Sequence, residues 1–487
     1  MLTALFLTCL AASLSYLVAK RATTIQSLSL IWSSLIGILS LASAYPALTG
    51  AVTEPTRLWH VQPFGALLLV LIGFVQWTAT LASGPYLKQE LEENIITLNQ
   101  LRVYAALLPL FVLSMILTVT ANTIGLLWVT LESTTLATAL LVAFYTKDGS
   151  LEAAWKYLVL CSVGISLGLI GTLLLAYAAV GSHLDANFVA GASWNQLHAI
   201  ATQLSPSLVR IAFIFLFIGF GTKIGLVPLH TWLPDAHGRT PSPISGMLSG
   251  LLLNVALFAL LRYKGIVDTA LSSDAWSNGL FLAFGALSFI VPAAFILIQR
   301  NYKRLFAYSS IEHMGFIVFC ISLGKSGLAA MTIHLIGHAL TKSMLFFGAG
   351  NLVLRWKSTK VDKIGSIMRS LPYTGTLMIL GLLFLLATPP SPLFVSEYLA
   401  FSQSILGHPI LTLSMLLAAS IIVAGSFRNL GPALFGVKAD NQDKSTEQWN
   451  VSHTAMTLHL IGLIVIGILV LAPTTRTYLE QLAGSIY

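Results

Sequence analysis

The sequence predicts an all-α polytopic membrane protein of about fourteen transmembrane helices, on three observations. Of 487 residues, 56% are hydrophobic and only 9% charged, against about 25% charged in a typical globular chain. Apolar runs of the roughly 20 residues needed to cross a bilayer recur from end to end. The mean hydropathy of +0.84 leaves too few polar residues to coat a water-facing globule. The net charge of +8 therefore points to placement in a lipid bilayer and not to nucleic acid.

In order along the chain, the predicted spans fall near residues 2–19, 27–46, 64–82, 103–121, 123–145, 153–180 and 208–229, then 242–263, 277–299, 304–323, 327–354, 372–405, 409–435 and 455–473. Lys20 and Arg21 follow the first run, whereas a cleaved signal carries its positive residues in front, so the first run reads as a retained helix with its N-terminus outside. The positive-inside rule tests the count. Odd-numbered connections hold 18 basic residues, including the stretch from Arg355 to Arg369, and even-numbered connections with the C-terminus hold 6. That bias predicts both termini outside. The two basic residues left over, Lys223 and Lys342, lie inside spans.

Ionisable groups inside the membrane default to functional residues, because each costs about 2.5–3.5 kcal/mol at the centre of a helix. The spans contain Glu132, Glu312 and Glu397 besides the two lysines, and five histidines fall between 230 and 338: His230, His237, His313, His334 and His338. His334, His338 and Lys342 recur every four residues and so share one helix face, a stripe suited to proton relay. Two histidines and a lysine lack the third ligand of a zinc site, so no metal is expected. Cys9, Cys161 and Cys320 lie far apart within apolar runs and offer no CxxC spacing for a metal redox centre. No cofactor is expected either.

Gly219, Gly221 and Gly225 precede Pro228, and Pro389, Pro390 and Pro392 precede Glu397. Both runs predict broken helices, tolerated only where protein or a watery cavity surrounds the freed backbone. The breaks predict two five-helix inverted repeats, spans 4–8 and 9–13. The chain then divides into an N-terminal three-helix segment and loop (1–100), a first repeat (101–265), a second repeat (266–436), and a final loop and helix (437–487). The charged stretch 438–450 reads as a solvated loop, which with 355–369 offers a docking place for a cytoplasmic partner.

KIGLVPLHTWLPDAHGRTPSPISGMLSGLLLNVALFALLRY, KRLFAYSSIEHMGF and HLIGHALTKSMLFFGAGNL resemble the proton-translocating, antiporter-like subunits shared by respiratory complex I, Mrp-type sodium/proton antiporters and group 4 membrane-bound hydrogenases. EAAWKYLVLCSVGIS and YSSIEHMGF most resemble component F of hydrogenase 4. The resemblance implies a bacterial inner membrane location with both termini periplasmic, and a charge-switching pair at Glu132 and Lys223. It also implies a relay through His334, His338 and Lys342 and a terminal group at Glu397, with Glu312 and His313 as further ionisable groups of the spans and His230 or water as the carrier where the family's charge on span 8 is missing. It departs at Asn254, where many members carry Lys or His; an amide holds no net charge.

The function expected is a proton-conducting subunit, driven by a partner's reaction in a complex I-like, hydrogenase-like or transporter assembly, with no redox site of its own. The alternative is cation/proton antiport, or proton-coupled uptake of a solute such as inorganic carbon with a partner protein. For sodium, Glu132, Ser133, Thr134 and Thr135 are the oxygens to weigh.

Overall fold

The computed structural model describes residues 1–51, 55–180, 193–436 and 447–486, and among them every regular element is helical. Residues 438–446 of the predicted docking loop, with Lys438 and Lys444, lie outside the described residues.

The helices are α1 (Leu2–Val18), α2 (Ala22–Leu48), α3 (Pro63–Glu92), α4 (Leu98–Thr120), α5 (Ile124–Val142), α6 (Asp148–Val180) and α7 (Pro206–Ile224). Then come α8 (Ser242–Leu271), α9 (Ala275–Ile298), α10 (Tyr302–Ser322), α11 (Leu328–Trp356), α12 (Pro372–Leu385), α13 (Pro392–Gly407), α14 (Pro409–Phe435), α15 (Val451–Leu469) and α16 (Pro473–Gly484). By length and composition, eleven helices among the described residues are apolar enough to cross a membrane. The other three predicted runs coincide with the 17-residue α1, with α11, and with the pair α12 and α13.

Both predicted breaks are present. α7 stops at Ile224 because Gly225 takes φ +84°, which only glycine adopts without cost, and its N–H caps the helix on Gly221 O at 3.0 Å. Gly221 thus lies within α7 as an acceptor, and the break runs from Gly225 through Pro228 to a short helix, Trp232–Arg239. The second break, at 386–391, contains Pro389 and Pro390; Ser391 caps α13 by accepting Leu393 N–H at 3.1 Å.

The bundle is sorted by exposure. Residues 242–267 of α8 are all buried, as are nearly all of α10 and most of α11 up to Gly350. Peripheral helices instead expose Leu14, Ile38, Leu136, Trp155, Tyr177, Leu406 and Leu417. An apolar perimeter around a core rich in polar side chains fits a helical bundle solvated by lipid, where backbone groups must be satisfied within each helix.

Close helix contacts position the site. A Cβ at Gly219 of α7 would meet Gly168 N of α6 at 2.4 Å and Gly164 O at 2.7 Å. These glycines let two backbones touch, as small residues do between membrane helices. Gly250, within a π turn over Leu248–Leu252, similarly admits Ser343 and Ala339 of α11.

The basic residues correct the sequence reading, which left only Lys223 and Lys342 inside. Arg262, Lys264 and Lys303, assigned to connections, are buried within α8 and α10. Arg262 donates to Ala121 O at 2.6 Å and lies 4.2 Å over the Trp194 ring, while Lys264 pairs with Asp268 at 2.5 Å. Helix ends explain the miss for the lysines: α8 runs 30 residues and carries Lys264 past the span predicted to end near 263, and α10 begins at Tyr302, ahead of the span predicted from 304; Arg262 sits at the end of the predicted span itself.

The start of α15 is fastened to α12 through Glu447. Its carboxylate accepts Tyr373 N–H at 2.6 Å, the Thr374 hydroxyl at 2.6 Å and His453 Nε2 at 2.9 Å. Burial pushes this carboxyl up, but those donors outweigh it and hold Glu447 below its ordinary range. A depressed folded-state value stabilises above the unfolded pKa of about 4.3 and is lost as pH falls through the folded value. Glu447→Gln is therefore expected to lower the melting temperature at pH 7 and to narrow its gap to wild type below about pH 4, read by thermal unfolding in detergent.

Candidate functional site

Two clusters of buried ionisable groups emerge. The first joins α5, α6 and α7. Lys223, 0% exposed, donates from Nζ to Thr135 Oγ1 at 2.7 Å and to the Tyr157 hydroxyl at 2.9 Å. The Thr135 hydroxyl in turn donates to Glu132 Oε2 at 3.1 Å, and Ser162 donates to Glu132 Oε1 at 3.0 Å. The expected Glu132 and Lys223 pair is thus relayed through one hydroxyl, which accepts from the ammonium and donates to the carboxylate. Tyr157 also meets Thr138 at 2.5 Å. Neither Tyr157 nor Ser162 was singled out from sequence, although both lie in EAAWKYLVLCSVGIS. Of the alternative oxygen set for a cation, Ser133 and Thr134 donate to carbonyls of their own helix. Only Thr135 meets Glu132.

The second cluster joins α10, α11 and α13. His313 Nδ1 lies 2.9 Å from His334 Nε2, and His334 Nδ1 lies 2.9 Å from Ser396 Oγ. Ser396 donates to Leu393 O at 2.8 Å, so its oxygen accepts the Nδ1 proton of His334, a tautomer assigned from the hydrogen-bond pattern. Glu312 Oε2 is 3.4 Å from His313 Nε2. Donor atoms of His313, His334 and Glu397 all lie within 4.8 Å of one another. The zinc argument from one helix missed this group because its members come from three helices.

His338 faces the same cluster, its ring 5.4 Å from that of His313. Lys342, the third member of the stripe, donates to Phe306 O of α10 at 2.9 Å. On the short helix Trp232–Arg239, His237 stacks on Phe346 of α11 at 5.0 Å. His237 and His338 are each 0% exposed, and no ring nitrogen of either has a hydrogen-bond partner among the described residues. Leaving such groups unpaired costs about 1–3 kcal/mol each, an expense typical of working polar groups. Asn254 donates to Gly250 O at 2.8 Å, while its buried Oδ1 has no partner among the described residues. His230 stands apart, its ring 6.3 Å from Phe295.

Sequence reasoning also missed Glu90, near the end of α3 and 3% exposed. It accepts from Tyr145 at 2.8 Å, and Tyr145 meets Tyr86 at 2.6 Å. Lys303, the fourth buried lysine, donates to Thr240 O at 2.5 Å one helical turn before Phe306. Glu90 lay beyond the predicted third span, which ended near 82, whereas α3 continues to Glu92.

Residues 121–423, more than half of the chain, match the sequence family described as NADH:quinone oxidoreductase/Mrp antiporter, transmembrane. The chain belongs to that family. It is 40% identical over 375 residues to the hydrogenase-4 component F homolog of Methylacidiphilum infernorum, covering 76% of this chain and 77% of that one. It is 31% identical over 235 residues to hydrogenase-4 component B of Escherichia coli K12, covering 46% of this chain and 34% of that one. With NAD(P)H-quinone oxidoreductase chain 4 of Synechococcus WH7803 the figures are 34% over 266 residues, 54% and 46%. Among solved structures, a chain of the archaeal membrane-bound sulfane sulfur reductase superposes with TM-score 0.85 at 22% identity, covering 99% of this chain and 96% of that chain. A chain of the Mrp complex of Dietzia gives 0.80 at 15%, with the same coverage. Those two likenesses concern the fold. As a member of the NADH:quinone oxidoreductase/Mrp antiporter family, the protein is an antiporter-like membrane subunit.

Proposed function

We propose that this subunit moves protons through its two buried clusters, driven by a partner's reaction in a hydrogenase-4-like or complex I-like assembly of a bacterial inner membrane. The reading takes fourteen crossings with both termini periplasmic. The observation that carries it is the directional chain from Lys223 through Thr135 to Glu132, together with a second cluster in which ligand atoms of His313, His334 and Glu397 lie within 4.8 Å of one another.

A charge change beside Glu132 weakens its hold on Thr135 and leaves the Lys223 ammonium without a counter-charge in a low-dielectric site, which favours release of the proton. In this reading the proton passes to the buried His338 and Lys342 of α11 and to His237, which stacks on Phe346 of the same helix, and Glu397 is the last acceptor. Glu132 and Glu397 are each half-buried at the periphery, beside exposed Leu136 and Tyr398. A carboxylate facing lipid is costly, so both positions favour covering by neighbouring membrane subunits. Redox chemistry belongs to those partners.

The test is to extract the complex in mild detergent, identify the copurifying subunits, and reconstitute it with a pH-sensitive dye inside the vesicles. Glu132→Gln and Glu397→Gln are expected to abolish driven proton movement with subunit composition unchanged. Wild-type pumping by both variants would sink the assignment.

A further inference from the structure

We propose that His313, His334 and Glu397 form a binding site for Zn²⁺, and that the bound ion closes the second cluster to protons. The closing role rests on the proton-translocating reading above; the binding does not.

Three observations carry it. The donors come from three helices, α10, α11 and α13, and converge to within 4.8 Å of one another. Two imidazoles and a carboxylate are a donor set suited to Zn²⁺, with a fourth position left for water. Nitrogens bound to tetrahedral zinc at about 2.0–2.1 Å lie about 3.3–3.4 Å apart. His313 Nδ1 and His334 Nε2, now 2.9 Å apart, need to part by only about 0.4–0.5 Å to admit the ion.

The far nitrogens are also held as in metal sites, where the ligating histidine donates its other N–H to an oxygen. His334 Nδ1 gives its proton to Ser396 Oγ, which leaves the Nε2 lone pair aimed at His313. His313 Nε2 lies 3.4 Å from Glu312 Oε2 and has no hydrogen-bond partner within the cluster. Moving the His313 proton from Nδ1 to Nε2 places it against that carboxylate and frees Nδ1 as a ligand. Both histidines are at most 1% exposed, whereas Glu397 is half-buried. Once bound, the ion occupies the lone pairs that would otherwise accept a proton.

Full-length protein, stripped with chelator and titrated with Zn²⁺, is expected to hold one ion that His334→Gln, His313→Gln or Glu397→Gln removes. Ser396→Ala, which frees the far nitrogen of His334, is expected to weaken binding about 10- to 100-fold. His408→Gln, at an exposed histidine, leaves it unchanged. His334→Cys keeps a zinc ligand and retains binding, which separates lost ligation from lost folding. Zinc binding equal in wild type and His334→Gln, or absent from wild type, would overturn the site. In vesicles of the assembled complex, Zn²⁺ is expected to stop wild-type proton movement, and undiminished movement with the site filled would overturn the closing role. Failure of the proton-translocating reading would appear separately, as no driven movement in zinc-free vesicles.

Discussion

Lys223→Ala is expected to reduce driven proton movement in vesicles to the background leak while the chain still assembles. Lys223 is fully buried, and its Nζ holds the hydroxyls of both Thr135 and Tyr157. Removing the ammonium takes away the proton carrier and the donor that orients Thr135 toward Glu132. Assembly survives because the substitution removes a charge whose burial costs several kcal/mol. Lys223→Arg separates carrying a proton from merely balancing Glu132. A guanidinium stays protonated at any working pH, so if the lysine must release its proton, the arginine variant is equally inactive. Dye-reported acidification with matched subunit stoichiometry measures both, and a pumping arginine variant would show that charge balance alone suffices.

Gly219→Leu is expected to prevent accumulation of folded protein, and Gly219→Ala to lower activity with a smaller loss of stability. The atoms that any Cβ would strike are backbone, Gly168 N at 2.4 Å and Gly164 O at 2.7 Å, and backbone cannot rotate away as a flexible side chain would. Even the alanine methyl forces α6 and α7 apart, at a cost of about 1–3 kcal/mol for overpacking. Lys223 lies one turn beyond Gly219 on the same helix. Separating the helices therefore lengthens the 2.9 Å contact from Lys223 to Tyr157 of α6. Size-exclusion profiles and proton movement of the two variants, compared with Gly84→Ala, where a Cβ meets open space, check both parts. A fully active Gly219→Leu would contradict the packing.

Much of this architecture is legible in the sequence because lipid imposes a long apolar run on each crossing. That is why Pro206–Ile224 and Ala275–Ile298 coincide with predicted spans to within a few residues. The breaks were legible from Gly225 and Pro228, and from Pro389 and Pro390, since glycine and proline change the backbone locally. Helix ends were less so: α3 carries Glu90 beyond the predicted span that ended near 82, and the first turn of α10 carries Lys303. Polar residues near a span end read as loop, although the helix and its packing continue past them.

The ionisable residues themselves, Glu132, Lys223, Glu312, His334, His338, Lys342 and Glu397, were fixed by sequence because a charge inside an apolar run is conspicuous. Their partners were not. Lys223 meets Tyr157 because Gly219 lets α7 lie against α6, and Thr135 comes between Glu132 and Lys223 because α5 packs beside them. His313 and Glu397 join His334 because three helices distant in sequence converge. Apolarity and local backbone preference act over a few residues and are written in order along the chain. Which hydroxyl, imidazole or carboxylate meets which charge depends on helix rotation and interhelical distance, which only the packed bundle determines.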